Sequence, residues 1–211
     1  VVFTPLAVFS KENGALLPLL IAVLEYTALR HPAPQCYPSS RWLMLFLGLP
    51  NLILIVYFAV RWDATLDGYR LRHFTLGERL LTESRILLDY LQQLLIPNLG
   101  ASGIFNEHPS PSHGLLDPPT TLAAILVIAT LITSAWKIRA RHPLFSLAVL
   151  FFFAGHVLES TFIPLELYFE HRNYLPAIFL FLPLTHGLVN KASQWRWLPA
   201  VPLLFIGLFA V

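Results

Sequence analysis

Long apolar stretches separated by short polar connections constrain this chain more than any other feature of its sequence. Five of them approach or reach the length that crosses a bilayer, about 20 residues for roughly 30 Å of hydrocarbon. They cover residues 14–29, 42–60, 120–136, 144–163 and 174–189. Apolar residues 1–9 and 197–211 are predicted to be parts of two further spans. The pattern predicts an all-α fold, a polytopic transmembrane helical bundle that forms a single membrane domain.

The composition agrees with a membrane protein. Hydrophobic residues make up 56% of the 211 residues and charged residues 12%, about half of the roughly 25% charge found in soluble domains. So little charge excludes a disordered chain and a coiled coil. A net charge of +2 gives no electrostatic basis for binding nucleic acid. The one cysteine, Cys36, excludes an internal disulfide framework and a cysteine-based zinc site.

The connections between the apolar stretches predict the orientation in the membrane. Three of them together hold seven Lys or Arg and no Asp or Glu, and these are 30–41, 137–143 and 190–196. They alternate with the remaining connections along the chain, so the positive-inside rule assigns all three to the cytoplasm. The connections on the opposite side are 10–13, 61–119 and 164–173. We expect an integral membrane protein whose functional face is extracytoplasmic.

The connection 61–119 is too long to lack structure of its own. Within it, leucines recur on one helical face, and polar residues recur on the other at spacings of four, three, four and three. The polar positions are Glu78, Thr82, Arg85, Asp89 and Gln92. This periodicity predicts an amphipathic helix over about 78–96, either lying in the membrane interface or facing a wet cavity.

Three polar clusters fall on the predicted extracytoplasmic side. Ionisable groups close to a membrane usually face a cavity or a partner, and they often mark function. The first cluster is Lys11 and Glu12, and the second includes Glu83, Arg85 and Asp89. The third lies between residues 155 and 174 and consists of His156, Glu159, Glu166, Glu170, His171, Arg172, Asn173 and Tyr174. These clusters supply the candidate functional residues.

Each cluster also has a purely structural interpretation. Lys11 and Glu12 are equally compatible with an interfacial ion pair, the second cluster with a solvated helix face, and the third with a structural salt-bridge network. His156 and Glu159 are three residues apart and resemble half of a metal site. No further His or Cys follows at ligand spacing, so we expect no metal here.

The stretches ERLLTESRILLDYLQQLLIP, LLDPPTTL and HVLESTFIPLELYFEHRNYLP resemble a family of bacterial polytopic membrane proteins that often carry tetratricopeptide (TPR) repeats. That family is similar to the GT-C membrane glycosyltransferases, including the transmembrane protein O-mannosyltransferases. SKENG, residues 10–14, resembles the SKE-type motif that those proteins place between two spans. The resemblance covers about residues 7–185, and FEHRNYLP is its most specific part.

The resemblance implies a GT-C-like fold and transfer of a sugar from a polyprenyl-phosphate carrier to a protein or glycan acceptor. Enzymes of that class carry a catalytic acid in the first extracytoplasmic loop, which we expect upstream of residue 1. The catalytic residues are therefore unknown, this stretch is expected to be an inactive fragment without its missing parts, and no cofactor is expected.

The residues of the three clusters suit a lipid-phosphate sugar donor. A leaving phosphate carries developing negative charge that positioned cations stabilise, and an Arg suits a bidentate phosphate contact. Arg172 and Lys11 are the first candidates for this role and Arg85 the third. The acids Glu12, Glu159 and Glu170 would orient the cations or contact the sugar or acceptor. The remaining candidates, which would bond sugar hydroxyls or phosphate oxygens, are His171, Asn173 and Tyr174.

Three alternatives stay open. An O-antigen ligase or polymerase also uses a lipid-linked donor and extracytoplasmic Arg and His. A transporter or flippase predicts ionisable groups near the middle of the membrane and paired repeats, whereas the clusters here lie at span ends. A non-catalytic membrane scaffold for a TPR module predicts that Arg172→Ala leaves function intact.

Overall fold

The computed structural model describes residues 7, 12–29, 41, 44–96 and 110–192, which are helical or irregular and include no strand. This confirms the all-α class over these ranges. The α-helices are α1 (Leu17–Leu24), α2 (Leu49–Val60), α3 (Trp62–Asp67), α4 (Leu76–Leu95), α5 (Thr120–Ile138), α6 (Pro143–His156) and α7 (Leu182–Ala192). Shorter 3-10 or π-helical turns are Glu12–Leu16, Glu25–Leu29, Met44–Gly48, Gly68–Leu71, Glu170–Asn173 and Pro176–Phe179.

Within the described part of the chain, α5 is the helix that is long and apolar enough to cross a membrane by itself. Met44–Val60 and Trp62–Leu71 pass the same test as a pair but are bent by 64° where they join. The shorter apolar helices are Asn13–Leu29, Pro143–His156 and Pro176–Asn190. Helices thus occur in all five predicted stretches, but one or two of them have spanning length, and the polytopic bundle stays a prediction. Apart from Ala7, the predicted partial spans 1–9 and 197–211 lie outside the described residues.

Two of the predicted stretches are less regular than their hydropathy indicates. Helix α6 ends at His156, although the apolar stretch continues to residue 163. The stretch 174–189 is divided into the 3-10 turn Pro176–Phe179 and helix α7. The turn lies tight against α6, since a Cβ added at Gly155 would come within 2.8 Å of the Pro176 ring. A glycine at this position therefore permits the close approach.

Helix α4 matches the predicted amphipathic helix closely, because it covers Leu76–Leu95. Its start is a capping box, in which Glu78 Oε2 accepts from the Thr75 amide at 2.7 Å and Thr75 Oγ1 accepts from the Glu78 amide at 3.3 Å. A cap of this kind stabilises a helix by about 1 kcal/mol. The hydrogen bond from the Thr75 backbone, followed by that of His113, lowers the pKa of Glu78.

Helix α6 lies between the two hydrophobic clusters of the described chain. One side of it packs against α1, where Leu16 and Leu20 meet Phe151 and Leu158. The other side packs against α4 through Phe152, which joins the cluster of Ile86, Tyr90, Phe153 and Leu167. This packing brings the end of α6 and the irregular chain after it alongside α4.

Helix α2 has no buried residue in the described structure. Its exposed apolar side chains include Leu52, Ile53, Ile55 and Val56, each more than half exposed. A contiguous apolar surface of this kind on a helix is typical of a face that contacts lipid or another protein.

Candidate functional site

Four charged side chains are brought together in the interior beside α4. Arg79 and Glu83 lie on α4, Glu159 follows the end of α6, and Arg172 belongs to the turn Glu170–Asn173. We call these four residues the charged cluster. Their side chains are 0%, 1%, 10% and 4% exposed, respectively, so all four are largely removed from solvent. Charges in such a place must be paired with one another or with backbone dipoles.

Arg79 binds the irregular chain that follows α6. Its Nε donates to Thr161 O at 2.9 Å and its Nη2 to Glu159 O at 2.6 Å. Its Nη1 donates to Leu165 O and, at 3.5 Å, to Glu166 O. The guanidinium thus donates to carbonyls of residues that follow the end of α6. Burial is the first cause that lowers the pKa of Arg79, and the negative charge of Glu83 opposes it.

Glu83 is the carboxylate that both arginines approach. Its Oε1 lies 2.9 Å from Arg79 Nη2 and 3.8 Å from Arg172 Nη1. Neither approach has the geometry of a hydrogen bond. Both carboxylate oxygens of Glu83 therefore lack a hydrogen bond among the described residues. The neighbouring Ser160 hydroxyl contributes a small lowering of the carboxyl pKa, also without good hydrogen-bond geometry. Burial outweighs all three groups and raises the pKa of Glu83 to about 7.

Arg172 is held more loosely than Arg79. Its Nε lies 3.5 Å from Glu159 Oε2, and its Nη1 lies 3.4 Å from Leu167 O. The guanidinium carbon is 5.5 Å from the centre of the Phe169 ring. Its contacts are longer than those of a well-formed charge-assisted hydrogen bond.

A shell of polar groups surrounds the charged cluster. His156 Nε2 lies 3.1 Å from Asn173 Oδ1, and its Nδ1 lies 2.9 Å from Phe152 O. The Tyr90 hydroxyl accepts a hydrogen bond from the Phe169 amide at 2.6 Å. Burial raises the pKa of Tyr90 to about 12, so this phenol stays protonated. These contacts tie the turn Glu170–Asn173 to both α4 and α6.

The turn divides the candidate residues between an inner and an outer side. Arg172 and Asn173 are buried, whereas Glu170, His171 and Tyr174 are exposed. The His171 ring packs against Phe169 at a centroid distance of 4.8 Å. The outer residues are therefore open to a ligand and lie directly beside the buried arginine in the chain.

The other candidates are located elsewhere or are not described. Arg85 donates to Ser110 O at 3.2 Å and to Ser112 Oγ at 3.1 Å, which ties it to the chain before α5 and not to the charged cluster. Glu12 begins the first described turn, but its side chain is outside the described residues, as is Lys11. For His156 and Glu159, the described residues contain no group of three His, Cys, Asp or Glu that could hold a metal.

Sequence reasoning missed Arg79 and did not connect Glu83 with Arg172. The signal for Arg79 was present, because a buried face of α4 has the helical spacing i, i+3, i+4, i+7 and i+11. It consists of Arg79, Thr82, Glu83, Ile86 and Tyr90. This face is offset from the leucine-rich face that the pattern made prominent, and Leu80 is 46% exposed. An Arg four residues before a Glu is itself a recognisable ion-pair spacing.

Comparison with known proteins adds no relative. No protein-family model, no curated protein and no solved structure matches the chain.

Proposed function

We propose that this chain is part of an integral membrane protein resembling GT-C glycosyltransferases, which transfers a sugar from a polyprenyl-phosphate carrier to a protein or glycan acceptor outside the cytoplasm. The observation that carries the proposal is the turn Glu170–Asn173. It exposes His171 to solvent and holds Arg172 in the charged cluster beneath it. This arrangement combines hydrogen-bonding groups at a surface with fixed positive charge behind it.

The proposal includes a polytopic bundle. The exposed apolar side chains of α2 and the length of α5 support insertion in a bilayer. The basic connections predict that the α5–α6 turn is cytoplasmic and that the charged cluster is on the opposite side. This places the cluster where a lipid-linked sugar presents its head group.

In this proposal, the outer residues contact the substrate and the inner residues position them. His171 and Tyr174 donate to sugar hydroxyls or phosphate oxygens. Arg172 supplies positive potential that stabilises the leaving phosphate, and Glu83 and Glu159 hold its guanidinium in place.

A non-catalytic membrane scaffold is the second candidate, and one observation favours it. Arg79 uses its donors on backbone carbonyls of residues 159–166, as a purely structural arginine would. In this alternative, the charged cluster fixes the irregular chain after α6 and has no substrate. The transferase and the scaffold therefore differ in whether the exposed residues His171 and Tyr174 contact a substrate.

The test uses the full-length protein and variants of the outer residues. We expect His171→Ala and Tyr174→Phe each to lower kcat/KM for transfer from a polyprenyl-phosphate sugar by about 10- to 100-fold, because each removes a hydrogen bond to a charged or polar substrate group. Unfolding should be unchanged, since both side chains are exposed. His142→Ala, an exposed histidine in the predicted cytoplasmic connection, is the matched control. Wild-type transfer by both variants would reject the substrate contacts assigned to His171 and Tyr174. Absence of transfer by the wild-type full-length protein would reject the transferase and favour the scaffold.

A further inference from the structure

A cavity of about 500 Å³ lies between α1, α5 and α6, within the roughly 300–1,000 Å³ range of small-molecule sites. Its walls include Val23, Ile132, Leu150 and Phe153. None of the residues that line it is an Asp, Glu, Lys or Arg. Its polar lining groups include the Thr27 and Thr161 hydroxyls, which donate to backbone carbonyls of their own segments. His156 and Ser160 also line it, on the side of the charged cluster. The cavity therefore suits a hydrocarbon chain and offers no site for a charged head group.

One end of the cavity is bordered by aromatic side chains and a basic turn. Tyr26 and Trp136 line it, and their ring centres are 6.3 Å apart. The guanidinium carbon of Arg139 lies 4.2 Å from the centre of the Trp136 ring. Lys137 and Arg141 are exposed in the same short stretch of chain. Trp and Tyr favour the level of the lipid head groups, where Arg and Lys meet phosphate.

Acidic residues are scarce at this end. No Asp or Glu occurs between Asp117 and Glu159, a stretch that contains all of α5 and α6. Glu25 precedes Tyr26 in the chain but does not line the cavity. The α5–α6 turn therefore carries three cations and no acid of its own at the mouth of the cavity, and one of them, Arg139, also donates to Trp136 O.

We propose that the cavity binds one acyl chain of an anionic phospholipid whose phosphate contacts the basic turn of Lys137, Arg139 and Arg141. Burial of the chain in an apolar cavity supplies affinity, and the three cations select a negatively charged head group over a zwitterionic one. The proposal rests on the membrane orientation of the proposed function and does not depend on sugar transfer. It assigns the lipid head group to the basic turn, whereas His156 and Ser160, which lie beside the charged cluster, line the cavity farther along the chain.

The experiment uses the full chain in phosphatidylcholine nanodiscs. Two probes with identical photoreactive acyl chains are compared, one phosphatidylglycerol and one phosphatidylcholine. We expect the phosphatidylglycerol probe to crosslink to peptides of α5 and α6 that line the cavity and to be displaced better by unlabelled phosphatidylglycerol than by phosphatidylcholine. Lys137→Gln/Arg139→Gln/Arg141→Gln should lower this preference by up to about 100-fold, since each of the three cations contributes about fivefold.

Two further variants complete the experiment. Ala22→Phe, which fills part of the cavity, should lower crosslinking of both probes. Arg70→Gln, an exposed arginine on the predicted opposite side, should leave the preference unchanged. An unaltered preference in the triple variant, equal labelling by both lipids, or no crosslink at the cavity in the wild-type chain would overturn the proposal. His171→Ala should keep the lipid preference even when transfer is lost, so failure of the lipid site and failure of the transferase are distinguishable.

Discussion

Replacing Arg79 by Lys should lower the free energy of unfolding by about 2–6 kcal/mol, because about two backbone carbonyls would lose their donor at about 1–3 kcal/mol each. The guanidinium donates to carbonyls of Glu159, Thr161 and Leu165 from one rigid plane. A lysine ammonium is a point charge with three donors and cannot reproduce this fork. The lost hydrogen bonds leave carbonyls unsatisfied in a segment that has no helix to bind them.

Denaturant unfolding in detergent micelles measures this loss, and hydrogen exchange over residues 157–168 locates it. Arg70→Lys is the matched control, because Arg70 is 83% exposed and pairs with the exposed Asp67 at 3.1 Å. A pair of this kind contributes little to stability, so the control should unfold like the wild type. Wild-type stability of Arg79→Lys would show that the backbone after α6 does not depend on this arginine.

The second large effect is expected for Arg172→Met. Its side chain is 4% exposed and lies between Glu83 and Glu159. Removing the cation leaves two buried carboxylates with Arg79 as their positive partner, and such a loss typically costs about 3–5 kcal/mol. Transfer by the full-length protein should be abolished. Glu166→Gln, whose exposed carboxylate pairs with Arg72 and with no side chain of the charged cluster, should retain both stability and transfer.

The double variant Arg172→Met/Glu159→Gln separates the structural role of Arg172 from its functional role. Removing one charge of each sign leaves the cluster balanced, so most of the stability should return. Transfer should stay lost, because the potential at the leaving phosphate is still missing. If stability and transfer return together, Arg172 has a structural role and is not needed for its charge at the leaving phosphate.

Hydropathy predicted much of the fold because helix formation in this chain follows local sequence. Helix α5 begins at Thr120, where the apolar stretch begins. Helix α4 begins at a capping box and covers the stretch in which leucines recur at helical spacing. The end of α6 at His156 could not be predicted in this way. The residues after it are still apolar, and the group that binds their carbonyls, Arg79, is about 80 positions away in the sequence.

The site was predicted in part, for a similar reason. A run of polar residues next to an apolar stretch marked Arg172 and its neighbours, but spacing alone does not tell which side of a turn each one faces. Arg79 and Arg85 are both arginines on α4, so residue type does not distinguish them. Arg85 lies on a different face, and its partners are Ser110 and Ser112. Long-range packing therefore decided which arginine joined the cluster.

The orientation of the chain underlies the whole account, because it decides whether the charged cluster faces lipid-linked sugars outside the cytoplasm. Single cysteines at Ser110 and Ala140, both exposed, test it in a Cys36→Ser background. A membrane-impermeant thiol reagent should label Ser110→Cys in intact cells. It should label Ala140→Cys only after the cells are permeabilised. Labelling of Ala140→Cys but not Ser110→Cys in intact cells would contradict the account.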